Sequence, residues 1–188
     1  MALRYLRFAL VLGVIVVFVP WWVVVLARER NARQSIELFT PFTQPVLDLR
    51  FSKKITYDPL SFVGRGRVAG FWEWSPDGLI LTPKGANIFT DFGDDIGGKL
   101  IAGKRRVDSI RSVQTHGTVR EVRFRYVWAE ITEPTAKLLN KPPKSGEDYE
   151  ATATQSLEGG VWKTTTVKTE DFEKAVDLLM RQATGALR

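Results

Sequence analysis

The chain has 188 residues, 44% hydrophobic and 26% charged, a composition that excludes disorder as the state of its bulk and suits one domain with a core. It contains no cysteine, which excludes disulfides, thiolate metal sites and cysteine nucleophiles. Its net charge of +6 is concentrated, since the stretch from Lys99 to Arg125 holds eight basic and two acidic residues.

In chain order, residues 1–7 form a short basic N-terminus with Arg4 and Arg7, and Phe8 to Ala27 follow as 20 residues without a charge. A helix of that length spans about 30 Å, the thickness of the hydrocarbon layer of a bilayer. A transmembrane helix is therefore expected over 8–27, with the lipid bilayer as its partner. Trp21 and Trp22 would lie at the membrane interface, and Pro20 is tolerated in such a helix. A cleaved secretory signal is the competing reading, but its apolar region is usually only about 7–15 residues. Retention makes this a single-pass signal anchor in the inner cell membrane. Arg4 and Arg7 precede the span and Arg28, Arg30 and Arg33 follow it, so basic residues nearly balance across it. The short basic N-terminus favours a cytoplasmic start and an extracytoplasmic C-terminal domain. Ala9 and Gly13 make a small-xxx-small pair, a weak signal for helix dimerisation.

Residues 28–66 read as a helix extension and a linker, broken at Thr40-Pro41 and Gln44-Pro45. Residues 67–188 read as one domain in which strand, turn, strand and helix recur three times. The first unit is RVAGFWEW, the turn SPDG, LILT, and a short helix capped by Thr82 with Pro83 in its first turn. The second is RRVDSIRSVQT, a turn at His116-Gly117, and TVREVRFRYVWAEI. Here Val122, Phe124, Tyr126 and Trp128 alternate with Glu121, Arg123, Arg125 and Val127, the period of a half-buried strand; Thr132 caps the helix that follows. The third is YEATATQSL, a turn at Glu158-Gly159-Gly160, VWKTTTVK and a final helix capped by Thr169. Its Phe172, Ala175, Val176, Leu179, Met180 and Ala183 form one apolar stripe. The expected fold class is α+β: an N-terminal transmembrane helix, then an antiparallel sheet with short helices packed on one face, built from ββα units.

The run from Gly103 to Ile131, GKRRVDSI…VREVRFRYVWAEI, resembles a pattern found in small uncharacterised bacterial envelope domains, often lipoproteins. In these a Gly-Lys-basic-Val-Asp strand precedes a strand ending in Tyr and then Trp-Ala. Gly103, Lys104, Val107, Asp108, Tyr126, Trp128 and Ala129 carry the likeness. The resemblance implies an envelope location and no activity. The absence of a lipobox cysteine departs from the pattern and excludes lipid anchoring.

Chemistry-bearing motifs are sparse. His116 is the only histidine and sits at a hairpin turn, where an exposed side chain is the ordinary outcome. The DFG at Asp91–Gly93 has no kinase catalytic loop to accompany it. GRGRVAG is out of step with a dinucleotide fingerprint. Asp91, Asp94 and Asp95 lack the spacing of a calcium loop, and Glu147 and Asp148 lie in a Pro- and Gly-rich loop with no visible partner. No catalytic, cofactor-binding or metal-ligating residue is nominated, and no cofactor is expected.

The candidate binding surface is the basic segment: Lys104, Arg105, Arg106, Arg111, Arg120, Arg123 and Arg125. An acidic protein or an anionic lipid surface would suit it. Nucleic acid is disfavoured because Phe124, Tyr126 and Trp128 alternate toward the core and leave no stacking platform. The bland alternative is that these cations pair with acids on neighbouring strands. The functional expectation is a small binding or accessory domain facing the envelope, without identifiable catalysis. The alternatives are a cytoplasm-facing basic domain that binds anionic lipid or nucleic acid, and a small hydrolase with a carboxylate and hydroxyl site.

Overall fold

A computed structural model describes residues 22–54 and 57–183 of the chain. The first described element is a helix, α1, over 22–37. It carries Arg28, Glu29, Arg30, Arg33 and Glu37, and buries Ala32 and Ile36, one turn apart, in the core. The Ala32 carbonyl accepts a hydrogen bond from Gln155 Nε2 at 3.0 Å, and Ser35 Oγ meets Thr164 Oγ1 at 2.9 Å.

This corrects the membrane reading. Among the described residues no helix is long and apolar enough to cross a membrane. Past the apolar residues at its start, α1 is charged outward and packed inward against a sheet. That finding conflicts with the transmembrane helix written into the fold class and with the single-pass inner-membrane placement built on it. The rest of the expected 8–27 span, with Trp21 and the Ala9–Gly13 pair, lies outside the described residues; Trp22 is exposed on the first turn of α1.

The stretch expected to be a linker contributes to the fold. After α2 (Thr40–Thr43) comes β1 (Val46–Ser52), with Leu47, Leu49 and Phe51 inward and Val46, Asp48 and Arg50 outward. That alternation is what a strand with one buried face requires. Then follow α3 (Phe62–Val68), the hairpin β2 (Trp72–Ser75) and β3 (Gly78–Leu81), α4 (Pro83–Ala86), β4 (Thr90–Asp91) and β5 (Asp95–Ile101). Thr82 Oγ1 caps α4, accepting from the Gly85 amide at 3.0 Å. The chain continues through β6 (Gly103–His116), β7 (Val119–Ile131), α5 (Glu133–Leu138), β8 (Asp148–Glu158), β9 (Val161–Thr169) and α6 (Glu170–Ala183).

The three ββα units are present as β2–β3–α4, β6–β7–α5 and β8–β9–α6. Among the described residues every pairing between these strands is antiparallel. One sheet has the order β1-β5-β4, a second is the β2–β3 hairpin, and the third is the four-stranded β6-β7-β8-β9. Gly159 and Gly160, at φ 57° and 80°, make the tight β8–β9 turn, where a two-residue hairpin loop of this kind needs left-handed backbone. The chain passes from the first sheet to the third at buried Ala102, whose amide donates to Pro45 O at 2.7 Å and whose carbonyl accepts from Thr132 N at 3.0 Å.

Two aromatic clusters anchor the core. Phe51, Phe62, Phe71, Trp72 and Phe89 pack mostly edge-on between β1, α3 and the β2–β3 hairpin. The other lies on one face of the four-stranded sheet. There Phe42 of α2 stands edge-on to Phe124 and Tyr126 at 5.3 and 5.4 Å, and Phe172 of α6 lies 5.3 Å from Trp128. The apolar stripe of α6 faces inward, with Phe172, Leu179 and Ala183 buried.

Candidate binding site

The predicted basic surface does not exist as one patch. Lys104 pairs with Glu130 at 3.0 Å and Arg123 with Glu121 at 3.2 Å. Arg125 lies 3.8 Å from Asp148 and 3.7 Å from Glu150. Arg106 and Arg111 are exposed. Exposed pairs of this kind make a sheet face soluble and contribute little binding energy. Asp91, Asp94 and Asp95 are matched in the same way, by Lys53, Lys54 and Arg50. His116 closes β6 and is exposed. Among the described residues no group of three His, Asp or Glu side chains could hold a metal ion.

Arg105 and Arg120 are different, because both are buried on the inner face of the sheet, at 6% exposure each. On β7, Arg120 shares its parity with the buried Val122, Phe124 and Tyr126. On β6, Arg105 shares its parity with buried Gly103 and Val107. That parity is the sequence signal which separates these two arginines from the outward ones. Arg120 lies 4.0 Å from the ring centre of Trp162. Burial and the charge of Arg28 push its guanidinium below the usual arginine range.

Arg105 is held in a cage of four rings. Its guanidinium carbon is 4.3 Å from the Trp128 ring centre, 4.9 Å from Phe172, 5.2 Å from Tyr126 and 5.8 Å from Phe42. Ring faces carry the negative part of the aromatic quadrupole and offset some of the lost hydration. They cannot accept the N–H bonds that water would. Among the described residues its one hydrogen bond is a long contact from Nη1 to Thr169 Oγ1 at 3.5 Å, and Nε and Nη2 have no acceptor. Burial pushes the group down to about 10, against an upward pull from Tyr126 and Glu173. The side chain is therefore still charged at neutral pH, at a cost on the order of 3 kcal/mol relative to the unfolded chain. The nearby carboxylate, Glu173, is turned elsewhere and accepts from the Thr169 amide at 3.3 Å.

This cage stands between two clefts. One, of about 470 Å³, lies between the α2 segment and the start of α6 and is lined by Arg105, Phe42, Pro45, Thr169, Phe172 and Glu173, among others. The second, of about 510 Å³, runs along the other side of Phe172 beneath the α5–β8 connector, with Trp128, Pro142, Pro143, Tyr149 and Leu178 in its walls. Trp128 Nε1 is buried without a hydrogen-bond partner among the described residues. Both volumes fall in the range of small-molecule sites, which are mostly apolar with a few placed polar groups. A buried donor without an acceptor is rare in folded proteins and calls for a specific cause. Here such donors stand on both sides of Phe172.

No family model, curated protein or solved structure matches this chain, so its function has to be read from the chemistry of this site.

Proposed function

We propose that the chain is a ligand-binding domain whose site is the pair of clefts flanking Phe172. One observation supports this reading above the others: the residues walling the clefts include hydrogen-bond donors, on Arg105 and Trp128, that the fold itself leaves without acceptors. A fold gains nothing from such groups, since each costs about 1–3 kcal/mol unpaired, whereas a ligand supplies the missing acceptors. The binding role expected from the sequence is kept, and the site moves from the outer basic strands to the inner face of the same sheet. A small hydrolase would need an acid and base held together, and among the described cleft-lining residues only Glu173 is a carboxylate.

The test is a titration of the protein with small aromatic fragments, followed by the indole N–H signals in NMR. Trp128 and Trp72 serve as reporter and control, because Trp72 Nε1 already donates to Val63 O at 2.7 Å. Fragments that bind the clefts shift the Trp128 signal and leave Trp72 unmoved. Fragments that shift neither at saturating concentration, or that bind only on distant surfaces, overturn the reading.

A further inference from the structure

We infer that Arg105 is the anion receptor of this site and that its ligand is a carboxylic acid with an apolar body. The inference rests on the clefts being the binding site. It adds the chemical class of what binds there.

The argument starts from which nitrogen atoms lack a partner. On Arg105 they are Nε and Nη2. These two atoms lie along one edge of the guanidinium, and their N–H bonds run parallel as a fork. That fork matches the two oxygens of a planar carboxylate, the strongest geometry available to an arginine. On Arg120 the unpartnered atoms are Nε and Nη1, which do not share a forked edge, and Arg120 is not among the residues lining either cleft. The same degree of burial therefore yields a receptor geometry at one arginine and none at the other.

Charge and surroundings narrow the class further. Among the described residues Arg105 is the sole cation lining the α2–α6 cleft, and the lining also includes the acidic Glu173. A monoanion neutralises Arg105. A phosphate dianion would bring a second charge against Glu173 and would leave oxygens facing aromatic rings that cannot donate to them in the ring plane's normal. Thr169 Oγ1 stands beside the guanidinium and offers a hydroxyl to a carboxylate oxygen. Phe42, Pro45, Val46, Val167 and Phe172 supply an apolar lining for the ligand's body. Nε and Nη2 are enclosed by the rings around them, so binding turns the guanidinium about its terminal torsions and exchanges ring contacts on that edge for two charge-assisted hydrogen bonds.

Benzoate and its neutral analogue benzamide separate the terms, with inorganic phosphate as the competing anion. Each is titrated at pH 7 into the full chain and into three variants, with calorimetry and the Trp128 indole signal as readouts. The expected result is benzoate binding at least about tenfold tighter than benzamide, as charge-assisted bonds to a buried guanidinium provide, with phosphate weaker than both. Arg105→Met removes the preference, bringing benzoate affinity down to that of benzamide. Arg105→Lys keeps the charge without the fork and loses most of the preference. Glu173→Gln strengthens benzoate several-fold relative to benzamide by removing a competing negative charge. Equal binding of benzoate and benzamide overturns the inference and leaves the cleft reading standing, as does a preference that survives Arg105→Met. Tighter binding of phosphate than of benzoate overturns the carboxylate assignment. Binding of neither aromatic probe overturns the cleft reading, and this inference with it.

Discussion

Two tryptophans divide this molecule. Trp72 and Trp128 are both buried, at 0% and 1% exposure, and both sit in a cluster of aromatic rings. Around Trp72 every feature serves the fold. Its Nε1 donates to Val63 O at 2.7 Å, its ring packs against Phe51, Phe62, Phe71 and Phe89, and α3 comes so close that a Cβ on Gly66 would lie 1.9 Å from Trp72 Cζ2. Around Trp128 the packing is equally aromatic, but its Nε1 has no partner, clefts open beside it, and a charged guanidinium lies across its face. Burial alone does not distinguish a core from a site. The number of polar groups the fold leaves unsatisfied does.

That contrast can be broken by mutation, beginning with the largest effect. Trp72→Ala is expected to cost about 3–5 kcal/mol, as the loss of a fully packed aromatic does, read as a lower urea midpoint with an unchanged slope. A loss under about 1 kcal/mol would remove Trp72 from its role as a keystone of the first cluster. Arg105→Met should act in the opposite direction and raise stability by about 1–3 kcal/mol, since an apolar chain of similar length replaces a buried charge without an acid partner. The pH dependence has a definite sign. In the folded state Arg105 loses its proton at about 10, below the usual arginine range. The penalty for its charge is therefore complete below pH 10 and fades as pH rises above it toward the usual arginine range. The advantage of Arg105→Met over the parent should be constant from pH 6 to 9 and shrink above 10, which thermal melts across that range would reveal.

A finer comparison comes from replacing each tryptophan with phenylalanine. Trp72→Phe leaves Val63 O without its donor, whereas Trp128→Phe removes a donor that had no acceptor. Chemical denaturation should show the first variant less stable than the second by about 1–2 kcal/mol; equal losses would mean that the two indole groups are not differently satisfied. The smallest effect belongs to the outer strands. Lys104→Gln and Arg123→Gln each break one exposed ion pair and should change stability by less than about 0.5 kcal/mol. Melting temperatures suffice to check this, and a large drop at either position would restore weight to the outer basic face.

Much of the local structure was legible in the sequence because it depends on neighbours. The alternation through Val122–Trp128 defined a buried face of β7, Thr82 and Pro83 marked the start of α4, and the stripe from Phe172 to Ala183 set the inner side of α6. β1 was legible too: Leu47, Leu49 and Phe51 alternate with Asp48 and Arg50, but the flanking prolines draw attention to breaks in the chain. The membrane expectation rested on length and apolarity between Phe8 and Ala27, and neither property reports that the helix beyond it turns a packed face, through Ala32 and Ile36, toward a sheet. The site was only half legible. Strand parity puts Arg120 among inward residues and Arg105 level with Gly103 and Val107, yet charge argues for the surface, and charge is the usual winner.

The sequence by itself determined the three hairpins, the start of α4 and the inward faces of β7 and α6, because these follow from periodicity and from the backbone preferences of single residues. Tertiary structure alone decided that Phe42, Tyr126, Trp128 and Phe172, from α2, β7 and α6, close around one guanidinium. A repeat of two or 3.6 residues says which way a side chain points along its own element. It does not say which side chain of another element it will meet, and the cage, its missing acceptors and the clefts beside it exist only once those elements are packed together.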